Sequence, residues 1–222
     1  MSNFKFSLLL SLVLILGSCS STKYLVSDVT KHHNLQSIKP GQTFIIKQID
    51  QQSDKPLAFE SYAEIVAEYL EKNGLIKTSG ENEDVVYIVT LNWIVDGPTS
   101  DITSKGSNFY SSFRYGNPYG FGYSLGYPYD IQTKTKQLYT RNVEIVIYEA
   151  SSYDTVNPIR VFEGSASSTG SNAQINPVMH YIIQSIFEDF PGISGQTKTL
   201  RINIPPGSQA IETGGYSLNR AK

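Results

Sequence analysis

Cysteine is almost absent from this chain. The single one, Cys19, has no partner for a disulfide, and a thiolate-rich metal cage is excluded. Histidine is nearly as scarce. His32, His33 and His180 are the whole supply, with no pair at i, i+4 to hold a metal, so neither a metal nor another cofactor is expected. Charge is sparse too, at 17% of residues. The 20 acidic and 18 basic side chains are too balanced and dispersed to form a nucleic-acid surface. Phosphate-binding glycine patterns are missing, because Gly120, Gly122 and Gly126 depart from the dinucleotide spacing and follow no strand. A G-x-S-x-G nucleophile elbow is missing as well, and no catalytic residue is expected.

Long apolar runs are limited to one, Phe6 to Leu16, preceded by Lys5 and followed by Gly17-Ser18-Cys19. A membrane-spanning helix needs roughly 20 apolar residues, so this run suits the core of a cleaved leader. Leu16-Gly17-Ser18-Cys19 is similar to a lipobox. Such a sequence implies cleavage between Ser18 and Cys19 and a thiol alkylated by diacylglycerol, with acylation of the freed amine. One acyl chain holds a protein only marginally, whereas two or three give durable anchoring. Ser20-Ser21-Thr22-Lys23 has no Asp next to the cysteine and no acidic cluster. The expected location is therefore the cell envelope, anchored by lipid in the outer membrane and facing the periplasm.

Periodicity divides the rest. Residues 19–40 are polar and read as a lipidated tether, and residues 41–192 read as one α+β domain. Within it, Thr43–Ile49 has strand composition. Pro56 to Asn73 places Phe59, Tyr62, Ile65, Val66, Tyr69 and Leu70 on one helical stripe, with Gly74 as its left-handed stop. In Val85–Val95 the odd positions, Tyr87 and Trp93 among them, form an apolar face, and Val143, Ile145 and Ile147 repeat the alternation. Ile159–Ser168 is a further strand. Asn176-Pro177 opens a second helix, with Asn176 as its cap, running to Phe190. Residues 193–222 read as a short edge strand, Thr199–Ile204, and a loose tail. The expectation is a two-layer α+β sandwich: a mostly antiparallel sheet with two amphipathic helices packed on one face.

These segments, with the lipobox, resemble the lipoprotein family designated domain of unknown function 4136. The resemblance is carried by Phe59–Leu75, Asp84–Trp93, Thr140–Ala150 and Asn176–Gly192, together with a Tyr- and Gly-rich insertion. It implies an envelope lipoprotein of α+β type and brings no established activity. It transfers one functional residue, the lipidated Cys19.

The insertion, at about residues 97–135, is the most unusual stretch. From Gly106 to Tyr129 it interleaves aromatics with glycine and proline, and Arg114 is its only cation. Tyrosine offers a large face and a hydrogen-bonding tip at low entropic cost. Tyr115, Tyr119, Phe121, Tyr123 and Tyr127 are the candidate partner contacts, for an envelope protein or a glycan. Without a basic groove, nucleic acid is not an expected partner. The chain thus reads as a non-enzymatic binding or structural module. A periplasmic hydrolase, or a peptidoglycan binder using this loop, is the alternative.

Overall fold

The computed structural model describes residues 23–34, 39–49, 54–79, 84–105, 132–206 and 208. The first described segment overturns an expectation. Residues 23–33, assigned from the sequence to the tether, form strand β1 (Lys23–His33). Strand β2 (Thr43–Lys47), helix α1 (Pro56–Lys72) and the short β3 (Ile76–Lys77) follow. After them come β4 (Tyr87–Lys105), β5 (Gln132–Glu149), β6 (Arg160–Gly170), α2 (Asn176–Phe187) and β7 (Gln196–Ile204). The seven strands make one mixed sheet in the order β3-β2-β4-β5-β6-β1-β7. As the strand–helix–strand pattern implies, α1 crosses between two parallel strands, β2 and β4. From β4 to β7 every pairing is antiparallel.

Both helices lie on one face, and the core is the seam between them and the sheet. From α1 come Phe59, Tyr62, Val66 and Leu70, and from α2 Met179, Ile182, Ile183 and Ile186. The sheet answers with Tyr87, Leu91 and Trp93 of β4, the expected Val143, Ile145 and Ile147 of β5, and Phe162 of β6. Gly74 stops α1 with φ +90°, as its position predicts. Helix α2 closes at Phe187, three residues earlier than expected, because the chain turns at Asp189 with φ +53°. Phe190 still reaches the core, its ring 4.9 Å from Phe162. Asn176 is not the cap. Ile175 holds that position, and the Asn176 amide oxygen accepts a hydrogen bond from the Tyr62 hydroxyl instead.

Strand β1 escapes periodicity because two of its inward positions are polar. Leu25, Ser27, Val29 and Lys31 all face the helices and are buried. Backbone pairing with β6 on one side and β7 on the other holds this strand, so its side chains need not form an apolar stripe. Lys31 donates its ammonium to the Glu188 carbonyl, and its own carbonyl accepts from Gly195 N–H at 2.7 Å. Ser194 and Gly192 bond to His33. The α2–β7 connection is thereby fastened to the end of β1.

The expected insertion at 97–135 has ordered flanks. Beyond a bulge between Asp96 and Thr99, β4 and β5 keep pairing until Lys105 meets Gln132, forming a two-stranded arm. Gly97 is needed at the bulge: φ is +120°, and a Cβ would sit 2.8 Å from the Leu138 carbonyl oxygen.

Gly164 sets the closest approach of α2 to the sheet. A Cβ there would lie 2.7 Å from Ile186 Cγ2 and 2.8 Å from the Phe162 ring. Gly164→Ala therefore overpacks the seam and is expected to cost about 1–3 kcal/mol, read from the urea midpoint. Burial lowers the Lys31 pKa, with Asp189 opposing. The folded protein then holds this proton less tightly than the unfolded chain, so stability rises with pH in the window between the depressed value and the ordinary 10.5. Buried Tyr62 and Tyr87 and half-buried Tyr69 are shifted upward by desolvation and act oppositely above pH 10. Lys31→Met should remove the rise while leaving the tyrosine-driven fall, measured by denaturation across the alkaline range.

Candidate functional site

Strand β4 outruns β2. Their pairing ends where Lys47 meets Thr90. Past that point the first turns of α1 and α2 approach β4 and leave a cleft of about 680 Å³. That volume lies within the range of small-molecule sites. Its apolar walls come from Ala58, Trp93, Val95 and Ile175, and its polar side chains from Lys55, Tyr62 and Asn176; Asn92 and Ile94, which alternate onto the other face of β4, border it at the strand edge.

The cleft is built from the ends of elements. Pro56 starts α1 and leaves Lys55 exposed just outside it, with its ammonium 6.0 Å from the Trp93 ring centroid. About two turns on, Tyr62 meets Trp93 edge-to-face at 5.0 Å and 84°. Such a pair contributes about 0.5–1.5 kcal/mol beyond its buried area. The Tyr62 hydroxyl reaches across to Asn176, tying the two helix starts together. Burial raises the Tyr62 pKa, so the phenol keeps its proton well above neutrality and stays a donor.

Arg141 lies directly behind this wall. It is the cross-strand partner of Val95 and only 2% exposed. One guanidinium nitrogen donates to the Asn172 carbonyl, while Nε is buried without a partner. Desolvation alone lowers its pKa, and no acid contributes. The cleft therefore has a cationic back and a cationic rim, and its lining carries no carboxylate or imidazole. It can accept hydrogen bonds, donate them from amides, a phenol and an ammonium, and cover an apolar ring face. A second, smaller hollow of about 410 Å³ lies on the opposite, helix-free face. There Thr30, Asp28 and Asn142 are already engaged by Thr197, Thr199 and Asp96.

The residues singled out from the sequence lie elsewhere. Ser18 and Cys19, and the candidate contacts Tyr115, Tyr119, Phe121, Tyr123 and Tyr127, fall outside the described residues. His32 is exposed on β1, His33 sits with Nε2 3.2 Å from the Gly192 carbonyl, and His180 stacks obliquely on Tyr69. Among the described residues no three His, Cys, Asp or Glu side chains gather as a metal site would require, and no helix is long and apolar enough to cross a membrane. Sequence periodicity assigned Tyr62 and Trp93 to the core, where they belong. It could not show that their outer edges, with Lys55 and Asn176, frame a cleft.

No curated protein sequence matches this chain. Among solved structures, a PDZ domain protein from Parabacteroides distasonis ATCC 8503 aligns at 12% identity and a TM-score of 0.46. The alignment covers 86% of this chain and 42% of that one, so the chain spans about two-fifths of that protein's length. The PelC dodecamer from Paraburkholderia phytofirmans aligns at 11% identity and a TM-score of 0.37, over 72% of this chain and 94% of that one. The family match runs over residues 26–192, from within β1 to just past the end of α2. The chain belongs to the family described as Domain of unknown function (DUF4136).

Proposed function

We propose that this protein is a lipid-anchored module of the cell envelope that binds a hydroxyl-rich, saccharide-like ligand without transforming it. The cleft beside β4 carries this reading. The Lys55 ammonium, the Asn176 amide N–H groups and the lone pairs of the Tyr62 phenol, whose proton goes to the Asn176 oxygen, are groups that sugar hydroxyls engage, beside an apolar wall that includes Trp93. The non-catalytic part rests on the chemistry of the lining. Its titratable side chains are an ammonium and an upward-shifted phenol, which do not make an acid–base pair near neutral pH. The anchor rests on the Leu16–Cys19 lipobox. The absence of an acid beside Cys19 supports the outer membrane, facing the periplasm, as the place of that anchor.

Two experiments test the two halves. In cells, Cys19→Ala is expected to move the protein from the membrane to the soluble fraction. Retention of the variant in the membrane, or an unacylated amino terminus by mass spectrometry, overturns the anchor. On an array of glycolipid headgroups and peptidoglycan fragments, the intact protein in detergent is expected to retain saccharides, and Lys55→Ala to retain several-fold less. Lys55 is exposed and outside the helix, so its removal should leave stability within about 0.5 kcal/mol. An array with no saccharide signal overturns the ligand class.

A further inference from the structure

The correction at β1 changes what can connect the fold to a membrane. Residues 19–40 would have been a long leash, whereas the sheet in fact begins at Lys23. Only Ser20, Ser21 and Thr22 lie between that strand and Cys19. Even fully extended, the step from Cys19 to Lys23 spans at most ~14 Å.

The end of the sheet from which this link leaves is well defined. Lys23 pairs with Ile204, the last residue of β7. Through β6, the same end holds Gly170 and the Tyr139 that faces it. The β4–β5 arm projects from this end as well, starting at Asp96 and Thr140. Carrying the register across β1, β6 and β5 puts Lys23 level with Gln137. The arm continues to Gln132, five residues further, or roughly 17 Å at strand rise. The arm is therefore longer than the leash. With its strands upright on the bilayer, a domain held by lipid at Cys19 does not stand off far enough for the arm to clear the headgroups.

We propose that the protein rests on the lipid surface with the Lys23–Ile204 end of its sheet facing the bilayer and the β4–β5 arm in contact with the headgroups. The proposal rests on the lipid anchor and not on the cleft ligand. The described arm side chains suit such a surface. Ile102 is 63% exposed on one side. On the other, Lys134 and Lys136 outnumber Asp101, which stands opposite Lys136. Exposed isoleucine flanked by lysine matches an interface of acyl chains and anionic headgroups. The bulge at Asp96–Thr99 gives the arm a bend at its root, so it can lie along the surface.

The chain's own chemistry makes the test clean. Acylation consumes the only cysteine, so Ile102→Cys or Val156→Cys introduces the single free thiol of the lipoprotein. Val156 is 96% exposed in the β5–β6 connection, at the other end of the sheet and about 45 Å of strand away. Each full-length variant is labelled with an environment-sensitive fluorophore. It is then reconstituted in vesicles of phosphatidylethanolamine with a minor fraction of phosphatidylglycerol, with and without a headgroup-level spin-labelled lipid. The label at 102 is expected to shift to the blue and be quenched several-fold more than the label at 156. Equal or reversed quenching in protein that floats with the vesicles overturns the orientation and leaves the anchor standing. Protein that does not float overturns both.

Discussion

The fold depends on a strand threaded between two others. β1 enters between β6 and β7, pairing with β7 from Lys23 to Lys31 and with β6 from Asp28 to His33, so that every residue of the strand has a neighbour on at least one side. Remove it and β7 has no neighbour, α2 loses part of the surface beneath it, and the Glu188–Gly195 connection loses Lys31 and His33. Its partners are distant in sequence, with Asp28 opposite Ser167 and Lys31 opposite Gln196. The amino-terminal strand therefore cannot dock until most of the chain is available. The loop entropy spent in that closure is recovered through backbone pairing on β6 and β7 together with only two buried apolar side chains, Leu25 and Val29.

That trade explains which parts of the fold were legible. Elements stabilised by side-chain burial announce themselves. The stripe Phe59–Tyr62–Val66–Leu70 and the alternations through Trp93 and Ile145 are the residues that make the core. β1 is stabilised differently. Ser27 and Lys31 occupy inward positions where an alternation would demand aliphatics, and Ser168 bonds to the Val26 carbonyl within the sheet. Nothing in its composition separates it from a polar tether. The arm was hidden for a similar reason. Gly97-Pro98 interrupts β4 and looks like the start of a loop, yet the bulge absorbs it and the ladder resumes at Thr99. Asn176 shows the reverse error: Asn before Pro is a good cap, but the buried Tyr62 hydroxyl engages its amide.

The cleft was less legible than the fold because nothing local marks it. Lys55, Tyr62, Trp93 and Asn176 come from three separate elements and meet only because β2 is shorter than β4. Each has a sufficient local explanation in helix-start chemistry or core packing, so none stands out on a linear reading. The buried Arg141 was invisible for the same reason. Between Thr140 and Asn142 on a strand, an arginine reads as solvated, and only the register that puts it opposite Val95 and under the Asn172 carbonyl reveals a cation removed from water. Such a charge costs several kcal/mol unless matched, and nothing acidic contributes to its ionisation. That positive interior sits behind the wall of the cleft.

The cleft and the arm lie at the same end of the sheet as Lys23. Val95 and the start of α2 stand beside the arm's root, and α1 begins there and runs away from it. If the lipid sits on Cys19, the cleft opens close to the bilayer, within a few nanometres of the headgroups. With such an anchor, a ligand far from the membrane would require a long leash, and β1 takes up the residues that could have formed one. The chemistry of the wall and the shortness of the link therefore point the same way. On the proposed anchor, the hydroxyl-rich groups nearest to Lys55 and Asn176 would be those presented at the membrane surface, where anionic lipid would also attract the cationic rim.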